Sequence, residues 1–297
     1  MQFADNILKT VKTDGNFSFS KHTTYGLGGL AKIAYFPINI EESKAVFDYV
    51  TSNYDNFCII GNGSNLLASD DYYNGAVICT KKLNGISYEN GVLKCMGGVT
   101  VSSVLSYCKS AGLGGLEYLA GIPASIGGLA YMNGGINGFH LGDNVQSVLI
   151  YDGNLKELSN KNCNFGNKHS TMRDINALIL RIDLQVKSST VKEIEEKYNY
   201  FINRRRGLPQ GRSCGCVFKN PEGLAAGKLI EEAGLKGLRC GNAFVSGEHA
   251  NFIINDGAGS REVYLLIGEV KRRVYEKCGV LLEEEVVYIG EFNETNG

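Results

Sequence analysis

The chain contains 297 residues, 43% of them hydrophobic and 21% charged, and 30 basic residues against 31 acidic ones leave a net charge of −1. This balance excludes a nucleic acid or an anionic membrane surface as a partner held by bulk charge. The sequence has neither the run of about 18 apolar residues typical of a membrane span nor an N-terminal signal-peptide pattern, so we expect a cytoplasmic protein.

The first half of the chain alternates strand and helix patterns, which is typical of a mixed α/β opening. Strands are predicted at 31–36, 57–60, 76–79, 86–88, 92–95, 145–151 and 177–186, and helices at 41–54 and 101–111. Asn90-Gly91 is a hairpin turn signal, and Gly112 is expected to end the second helix. The strand at 57–60 runs directly into Gly61-Asn62-Gly63-Ser64-Asn65.

The character of the sequence changes near residue 188, where a charged helix over 192–206 begins. Beyond it we predict helices at 224–233 and 261–278, the second N-capped by Ser260, and strands at 251–255 and 280–289. We therefore predict an N-terminal segment (1–20), a larger domain (21–188) and a smaller α+β domain (189–297).

The loop Gly61–Asn65 follows a buried strand, and its glycines can turn successive backbone N–H groups toward one point. Such a loop can hold a pyrophosphate without a lysine. It is neither a complete GxGxxG fingerprint nor a P-loop. A plain tight turn is the alternative interpretation.

A second glycine-rich segment extends from Ala120 to Gly138. Its small residues would let a flat ring lie against the backbone, and the Ser125 hydroxyl and Asn133 amide could bond the polar edge of that ring. A close-packed helix and turn is the alternative.

The cysteine and histidine patterns argue against a metal. The nine cysteines include no CxxC pair, and the histidines at 22, 140, 169 and 249 lack metal-ligand spacing. We expect thiols and no metal site.

Together with Thr23–Gly29, the two glycine segments resemble the UDP-N-acetylenolpyruvoylglucosamine reductase family. The C-terminal motifs Cys216–Pro221, Gly227–Gly237, Ser246–Asn255 and Leu282–Gly290 agree in order, and the length suggests the shorter, type II subgroup. The resemblance implies an FAD-binding domain of the PCMH/vanillyl-alcohol-oxidase type followed by a smaller α+β substrate domain. It also implies FAD and NADPH as cofactors, a UDP-sugar substrate in peptidoglycan precursor synthesis, and a monomer. The implied cofactor-binding residues are Gly61, Asn62, Gly63, Ser64, Asn65, Leu66, Gly121, Ile122, Ser125, Gly128, Asn133 and Gly134.

The resemblance also implies catalytic residues. Cys216 stands where the family has a proton-donating serine, and a thiol is a much stronger acid than an alcohol. Glu285 matches the glutamate that stabilises charge, with Glu283 and Glu284 as neighbouring alternatives. Lys219 and Asn220 match contacts to the UDP-sugar.

The third catalytic position departs from the family. Asn167-Lys168 replaces a Tyr-Arg pair, and lysine keeps the charge but not the planar fork that fits a carboxylate. Three alternatives stay open: Lys168 performs the arginine's role, Arg173 substitutes for it, or the enzyme is impaired. The last leads to a non-catalytic flavoprotein as a competing function, beside an oxidase with another substrate on the same scaffold.

Overall fold

The computed structural model describes residues 6–136 and 138–292, so Asn137 of the second glycine segment and both chain ends lie outside the described residues. The chain forms two compact units. The first comprises Met1–Gly15, Ile33–Asn62 and Gly75–Arg206, and the second Asn16–Lys32, Gly63–Asn74 and Gly207–Gly297. The domain boundaries predicted at residues 20 and 188 stay a prediction, because compactness alone does not define an independently folding region.

The described residues contain seven α-helices of at least four residues. They are α1 Ile40–Asn53, α2 Val101–Ala111, α3 Ile126–Met132, α4 Thr171–Asp174, α5 Val191–Arg204, α6 Ala226–Glu232 and α7 Ser260–Cys278.

Strands in the same residues are short, and most occur in the first half of the chain. They are β1 Lys12–Asp14, β2 Phe17–Ser18, β3 Leu30–Phe36, β4 Phe57–Ile60, β5 Leu66–Ala68, β6 Tyr73–Cys79, β7 Ile86–Glu89, β8 Val92–Met96, β9 Leu113–Gly114, β10 Gly135–Ile136, β11 Phe139–His140, β12 Val145–Tyr151, β13 Leu155–Ser159, β14 Leu178–Gln185, β15 Lys187–Ser188, β16 Arg239–Cys240, β17 Ala243–Val245, β18 Ile253–Asn255 and β19 Val287–Ile289.

An antiparallel sheet in the order β13-β12-β14-β8-β7 forms the centre of the first unit. The helix α3 contacts β8 and β14. Gly127 makes this approach possible, because a Cβ there would lie 2.6 Å from the carbonyl oxygen of Gly97, closer than real Cβ atoms come. The helix α3, called the glycine helix below, is thereby held against the sheet and is surrounded by apolar core residues.

The second unit packs α7 against an antiparallel sheet in the order β16-β17-β18. β19 pairs in parallel with β5, Val287 opposite Leu66. Buried apolar residues of α6 and α7, such as Ile230 and Val270, belong to one core cluster. The unit is therefore a small α+β layer structure.

Most predicted elements are confirmed within two residues, and the Asn90-Gly91 turn has both residues at positive φ (52° and 82°). Two predictions are wrong. The strand predicted over 280–289 is limited to β19, because Leu282–Glu285 makes only an isolated bridge, between Phe218 and Glu284. Ser260 is the first helical residue rather than the N-cap, since Gly259 occupies the cap position.

The helix α7 starts at a carboxylate. Asp70 accepts hydrogen bonds from the N–H groups of Ser260 (2.6 Å) and Gly28 (3.2 Å), and its own N–H donates to the Ser260 hydroxyl (2.9 Å). A negative charge at a helix N-terminus is favourable. Within the described residues, no helix is both long and apolar enough to cross a membrane.

Candidate functional site

In the first unit, Gly61 and Asn62 of the first glycine segment contact the second glycine segment. The Asn62 side-chain amide donates to the carbonyl of Pro123 (2.5 Å). A Cβ on residue 61 would overlap the Ser125 hydroxyl, so Gly61 lies directly against that side chain. The Ser125 hydroxyl in turn accepts a hydrogen bond from the N–H of Gly128 (3.2 Å) and caps α3. The strand end and the glycine helix therefore form one continuous surface.

Part of this surface is bare backbone. Gly121, at φ 78°, and Gly128 are exposed. Among the described residues, and apart from its chain neighbours and its own helix backbone, a Cβ built on Gly128 would meet only the Ser125 hydroxyl oxygen, at 3.2 Å. The Arg205 side chain lies over Gly121, 3.0 Å from where a Cβ would be. Ile122 between them is half-buried and packs on the core. Such a surface fits a flat, polar-edged ring system that must approach the backbone closely.

Asn133 ends α3 in a left-handed conformation, at φ 44°. Its amide donates to the carbonyl of Gly166 (2.9 Å) and accepts from the N–H of Gly142 (2.9 Å). Gly134 is buried beside Leu129. Both polar groups of Asn133 thus hold neighbouring loops, and its predicted contact with a flavin stays a prediction.

Lys168 lies in a tight turn closed by two backbone hydrogen bonds between Gly166 and His169 (3.0 and 3.4 Å). Its φ of 53° is unusual for a residue with a side chain. The guanidinium of Arg173 donates to the Lys168 carbonyl (2.6 Å) and lies 5.7 Å from the centroid of the Tyr131 ring. The Arg173 guanidinium therefore lies against the backbone of Lys168 and beside the end of α3.

The turn is also tied to the glycine helix itself. The Ser170 hydroxyl donates to the carbonyl of Tyr131 (2.8 Å). The first unit thus brings together the predicted cofactor residues of its two glycine segments and the predicted cation.

In the second unit, the segment after Cys216 runs antiparallel to the glutamate-rich segment. The N–H of Glu285 donates to the carbonyl of Val217 (2.7 Å), and the N–H of Lys219 donates to that of Glu283 (2.8 Å). Cys216 and Glu285 are both half-buried. The predicted proton donor and the predicted charge-stabilising residue therefore lie on directly paired segments.

The three consecutive glutamates have different partners. Glu283 forms an ion pair with Lys219, and Glu284 forms one with Lys271 (2.6 Å). The charge of Glu285 instead raises the pKa of the Cys214 thiol, which lies two residues before Cys216. Its position beside the cysteine pair favours Glu285 over its neighbours for the predicted role, which itself stays a prediction.

Cys214 and Tyr25 were not singled out from the sequence. Burial raises the pKa of the Cys214 thiol to about 12, the charges of Glu285 and Cys216 add to this rise, and the Tyr25 hydroxyl opposes it. Among the described residues, the Tyr25 hydroxyl has no oxygen or nitrogen partner, and Cys214 is the polar group beside it. The pair Cys214 and Cys216 is recognisable in the sequence. The buried Tyr25 belongs to the segment Thr23–Gly29, which is distant in the chain, so its contact with Cys214 is not.

Among the remaining predicted cofactor residues, Asn65 is hydrogen-bonded to the glutamate-rich segment. The N–H of Thr24 donates to the carbonyl of Gly63 (3.1 Å), which has φ 70°. The Asn65 amide donates to the carbonyl of Glu285 (2.9 Å), and its backbone accepts from Val287 (3.0 Å). Ser64 and Leu66 flank Asn65 and are half-buried.

The predicted substrate residues Lys219 and Asn220 follow Cys216 along the chain. The Lys219 side chain is 17% exposed and pairs with Glu283. Asn220 is exposed, and its side-chain oxygen accepts from the N–H of Ala226 (3.0 Å) at the start of α6. The described residues contain no cluster of three potential metal ligands, and the nine cysteines, all among them, are free thiols.

The mixed α+β units and the closely approachable glycine surface agree with the class of FAD-binding protein that the resemblance implied. Residues 31–158 match the family model described as FAD binding domain, and residues 208–289 match the C-terminal domain of UDP-N-acetylenolpyruvoylglucosamine reductase. The chain belongs to the UDP-N-acetylenolpyruvoylglucosamine reductase family, which confirms the resemblance found in the sequence.

Individual relatives agree over nearly the whole length. The reductase of Prochlorococcus marinus is 37% identical over 290 residues, covering 95% of this chain and 100% of the relative. That of Caldicellulosiruptor saccharolyticus is 39% identical over 277 residues, covering 91% and 89%. The crystal structure of the reductase from Thermus caldophilus superposes with a TM-score of 0.81 at 32% identity, covering 94% of this chain and all of that one.

Proposed function

We propose that the chain uses FAD and NADPH to reduce UDP-N-acetylenolpyruvoylglucosamine to UDP-N-acetylmuramate for peptidoglycan synthesis. It would act as a cytoplasmic monomer. The observation that carries this proposal is the pairing of the Cys216 segment with the Glu285 segment (2.7 Å between the Glu285 nitrogen and the Val217 oxygen). An acid and a carboxyl group at adjacent positions suit a reaction that develops negative charge and then takes up a proton.

The cofactor would be held by the bare backbone of the first unit. Gly61, Asn62, Gly121, Ser125 and Gly128 supply small side chains and polar groups at one surface. The chemistry that FAD would supply there is hydride transfer to C3 of the enolpyruvyl group. The task of the surrounding residues is to orient the cofactor and exclude competing reactions.

Cys216 would deliver the proton to C2. Addition of hydride at C3 leaves negative charge on C2 and the adjoining carboxylate, so a donor must protonate carbon. The Cys216 thiol loses its proton to C2 and regains one from solvent. Glu285 in its acid form would donate a hydrogen bond to the developing enolate, which lowers the barrier.

The cations would bind the anionic groups of the substrate. The Arg173 guanidinium holds the backbone carbonyl of Lys168 in the first unit (2.6 Å), and the substrate carboxylate would be a suitable partner for either cation. Lys219 and Asn220 would contact the diphosphate, with Asn220 oriented by its hydrogen bond to Ala226. Charge-assisted bonds of this kind are about twice as strong as neutral ones.

The proposal is tested by separating the two half-reactions in a stopped-flow instrument. We expect NADPH to bleach the flavin of wild type, Cys216→Ser and Cys216→Ala at similar rates. Reoxidation by the enolpyruvyl sugar should fall by about 10²-fold or more in Cys216→Ala, the range ascribed to acid catalysis, with Cys216→Ser between. Normal reoxidation of Cys216→Ala would refute the proton-donor role, and bleaching without any reoxidation of wild type would refute the function.

The two candidate cations, Lys168 and Arg173, need their own variants. Lys168→Asn removes the charge but keeps a residue that tolerates positive φ, whereas Lys168→Arg restores the family's guanidinium. If Lys168 binds the carboxylate, Asn should raise the KM for the sugar and Arg should not. If Arg173 does so, Arg173→Lys should have the larger effect. A non-catalytic flavoprotein would respond to none of these.

A further inference from the structure

The buried side chain of Asn251 forms both of its hydrogen bonds with the backbone of one residue. It is 2% exposed and lies two residues before β18. Its amide nitrogen donates to the carbonyl of Phe218 (2.8 Å), and its amide oxygen accepts from the N–H of Phe218 (2.9 Å). Its backbone carbonyl accepts from the N–H of Val217 (2.9 Å).

The opposite edge of the same segment is occupied by the glutamate-rich chain. Val217 accepts from Glu285 and Lys219 donates to Glu283, whereas the backbone groups of Phe218 point the other way. In an antiparallel pair, backbone groups alternate between the two edges in this manner. The side chain of Asn251 therefore supplies the partner that a third strand would otherwise provide.

We propose that Asn251 is a positioning residue for proton transfer: by satisfying both backbone groups of Phe218, it fixes the Cys216 segment in register with Glu285. The inference rests on the proposed function of Cys216 and Glu285 and extends it to a residue that touches neither reacting group. Cys216 is one residue from Val217, which Asn251 and Glu285 hold from opposite edges.

Loss of the amide would act on geometry rather than on chemistry. Phe218 is 2% exposed, so no solvent can replace the lost partners without a shift of the segment. A shift of about 1 Å of a catalytic group can cost on the order of 10²-fold in rate. The proposed function assigns FAD binding to the first unit and gives Cys216 no role in flavin reduction, so we expect both to persist.

The test compares Asn251→Leu, which removes both hydrogen bonds at similar volume, with Asn251→Asp, which keeps only the acceptor. Ser260→Ala is the matched control, because Ser260 is equally buried in the same unit and hydrogen-bonded to Asp70. In FAD-loaded enzyme, we expect both Asn251 variants to reoxidise with the enolpyruvyl sugar about 10²-fold more slowly, with a larger solvent isotope effect. Their bleaching by NADPH should remain within about twofold of wild type, as in the control.

A double-mutant cycle with Cys216→Ala shows whether Asn251 acts through the thiol. Little further loss on adding Asn251→Leu to Cys216→Ala supports the proposal, and fully additive losses overturn it. Unchanged reoxidation in folded Asn251→Leu and Asn251→Asp also overturns it. If the leucine variant does not fold, the aspartate variant completes the cycle.

An independent readout is the rate at which iodoacetamide alkylates Cys216, followed by mass spectrometry. Both Asn251 variants should change this rate, and Ser260→Ala should not. An unchanged rate contradicts the positioning role even if wild type proves inactive on the enolpyruvyl sugar. Inactive wild type with a changed alkylation rate would instead refute only the proposed function.

Discussion

Replacement of Gly61 by alanine tests the contact between the two glycine segments. The new Cβ would overlap the Ser125 hydroxyl, whereas the Ser125 Cβ would lie 3.3 Å away, which is tight but tolerable. The strain can be relieved only if the hydroxyl rotates and leaves the N–H of Gly128. Loss of an N-cap costs about 1 kcal/mol, and overpacking costs about 1–3 kcal/mol, so we expect Gly61→Ala to lose roughly 2–4 kcal/mol.

The double variant separates the two costs. Ser125→Ala alone should lose about 1 kcal/mol, and with the hydroxyl gone Gly61→Ala should add little. The assay is urea unfolding of the four proteins, with the flavin content of each purified protein as a second measurement. A coupling energy of about 2–4 kcal/mol is expected, since residues in contact are not additive. Strict additivity of the two losses would show that the overlap is absent and that Gly61 has another purpose.

Three further predictions concern stability. Burial raises the pKa of four thiols to about 11–12, those of Cys95, Cys108, Cys163 and Cys214. Because these thiols ionise first in the unfolded chain, their contribution to stability is complete below pH ~8.5 and should fall by roughly 1.4 kcal/mol per thiol one pH unit higher. Urea unfolding measures this loss, with a series of Cys→Ala variants as the control. Asp70→Ala should cost about 1–2 kcal/mol because α7 loses its carboxylate cap, and an Asp70→Asn variant as stable as wild type would argue against a contribution from the charge. Lys168→Gly should raise the melting temperature, because glycine adopts φ 53° without strain, and a lower melting temperature would contradict the turn geometry.

Local pattern predicted the regular elements well because each element follows from residues close together in the sequence. The helix α2 has the predicted bounds, with Gly112 at φ 64° ending it. The strand predicted over 280–289 failed because its apolar residues are buried by a distant segment rather than by a sheet. The pattern of apolar residues within 280–289 gives no information about the pairing of Glu284 with Phe218.

The candidate site was predictable as a set of motifs but not as an arrangement. The ambiguity among Glu283, Glu284 and Glu285 could not be resolved from sequence, because it depends on ion pairs with Lys219 and Lys271, which lie 64 and 13 residues away from their partners. The role of Asn251 was hidden for the same reason. Its partner Phe218 precedes it by 33 residues, and an asparagine in an apolar run carries no local signal of what it bonds.

The thiol at Cys216 has a pharmacological consequence. It is half-buried on a segment held from both edges, three residues before the Lys219 that the proposed function assigns to the substrate diphosphate. A substrate mimic carrying a mild electrophile would be delivered to a sulfur nucleophile, which reacts with such groups far more readily than a hydroxyl does. Relatives with serine at this position should bind the same compound only reversibly, so the exchange of one atom would make covalent inhibition selective for organisms whose enzyme carries the cysteine.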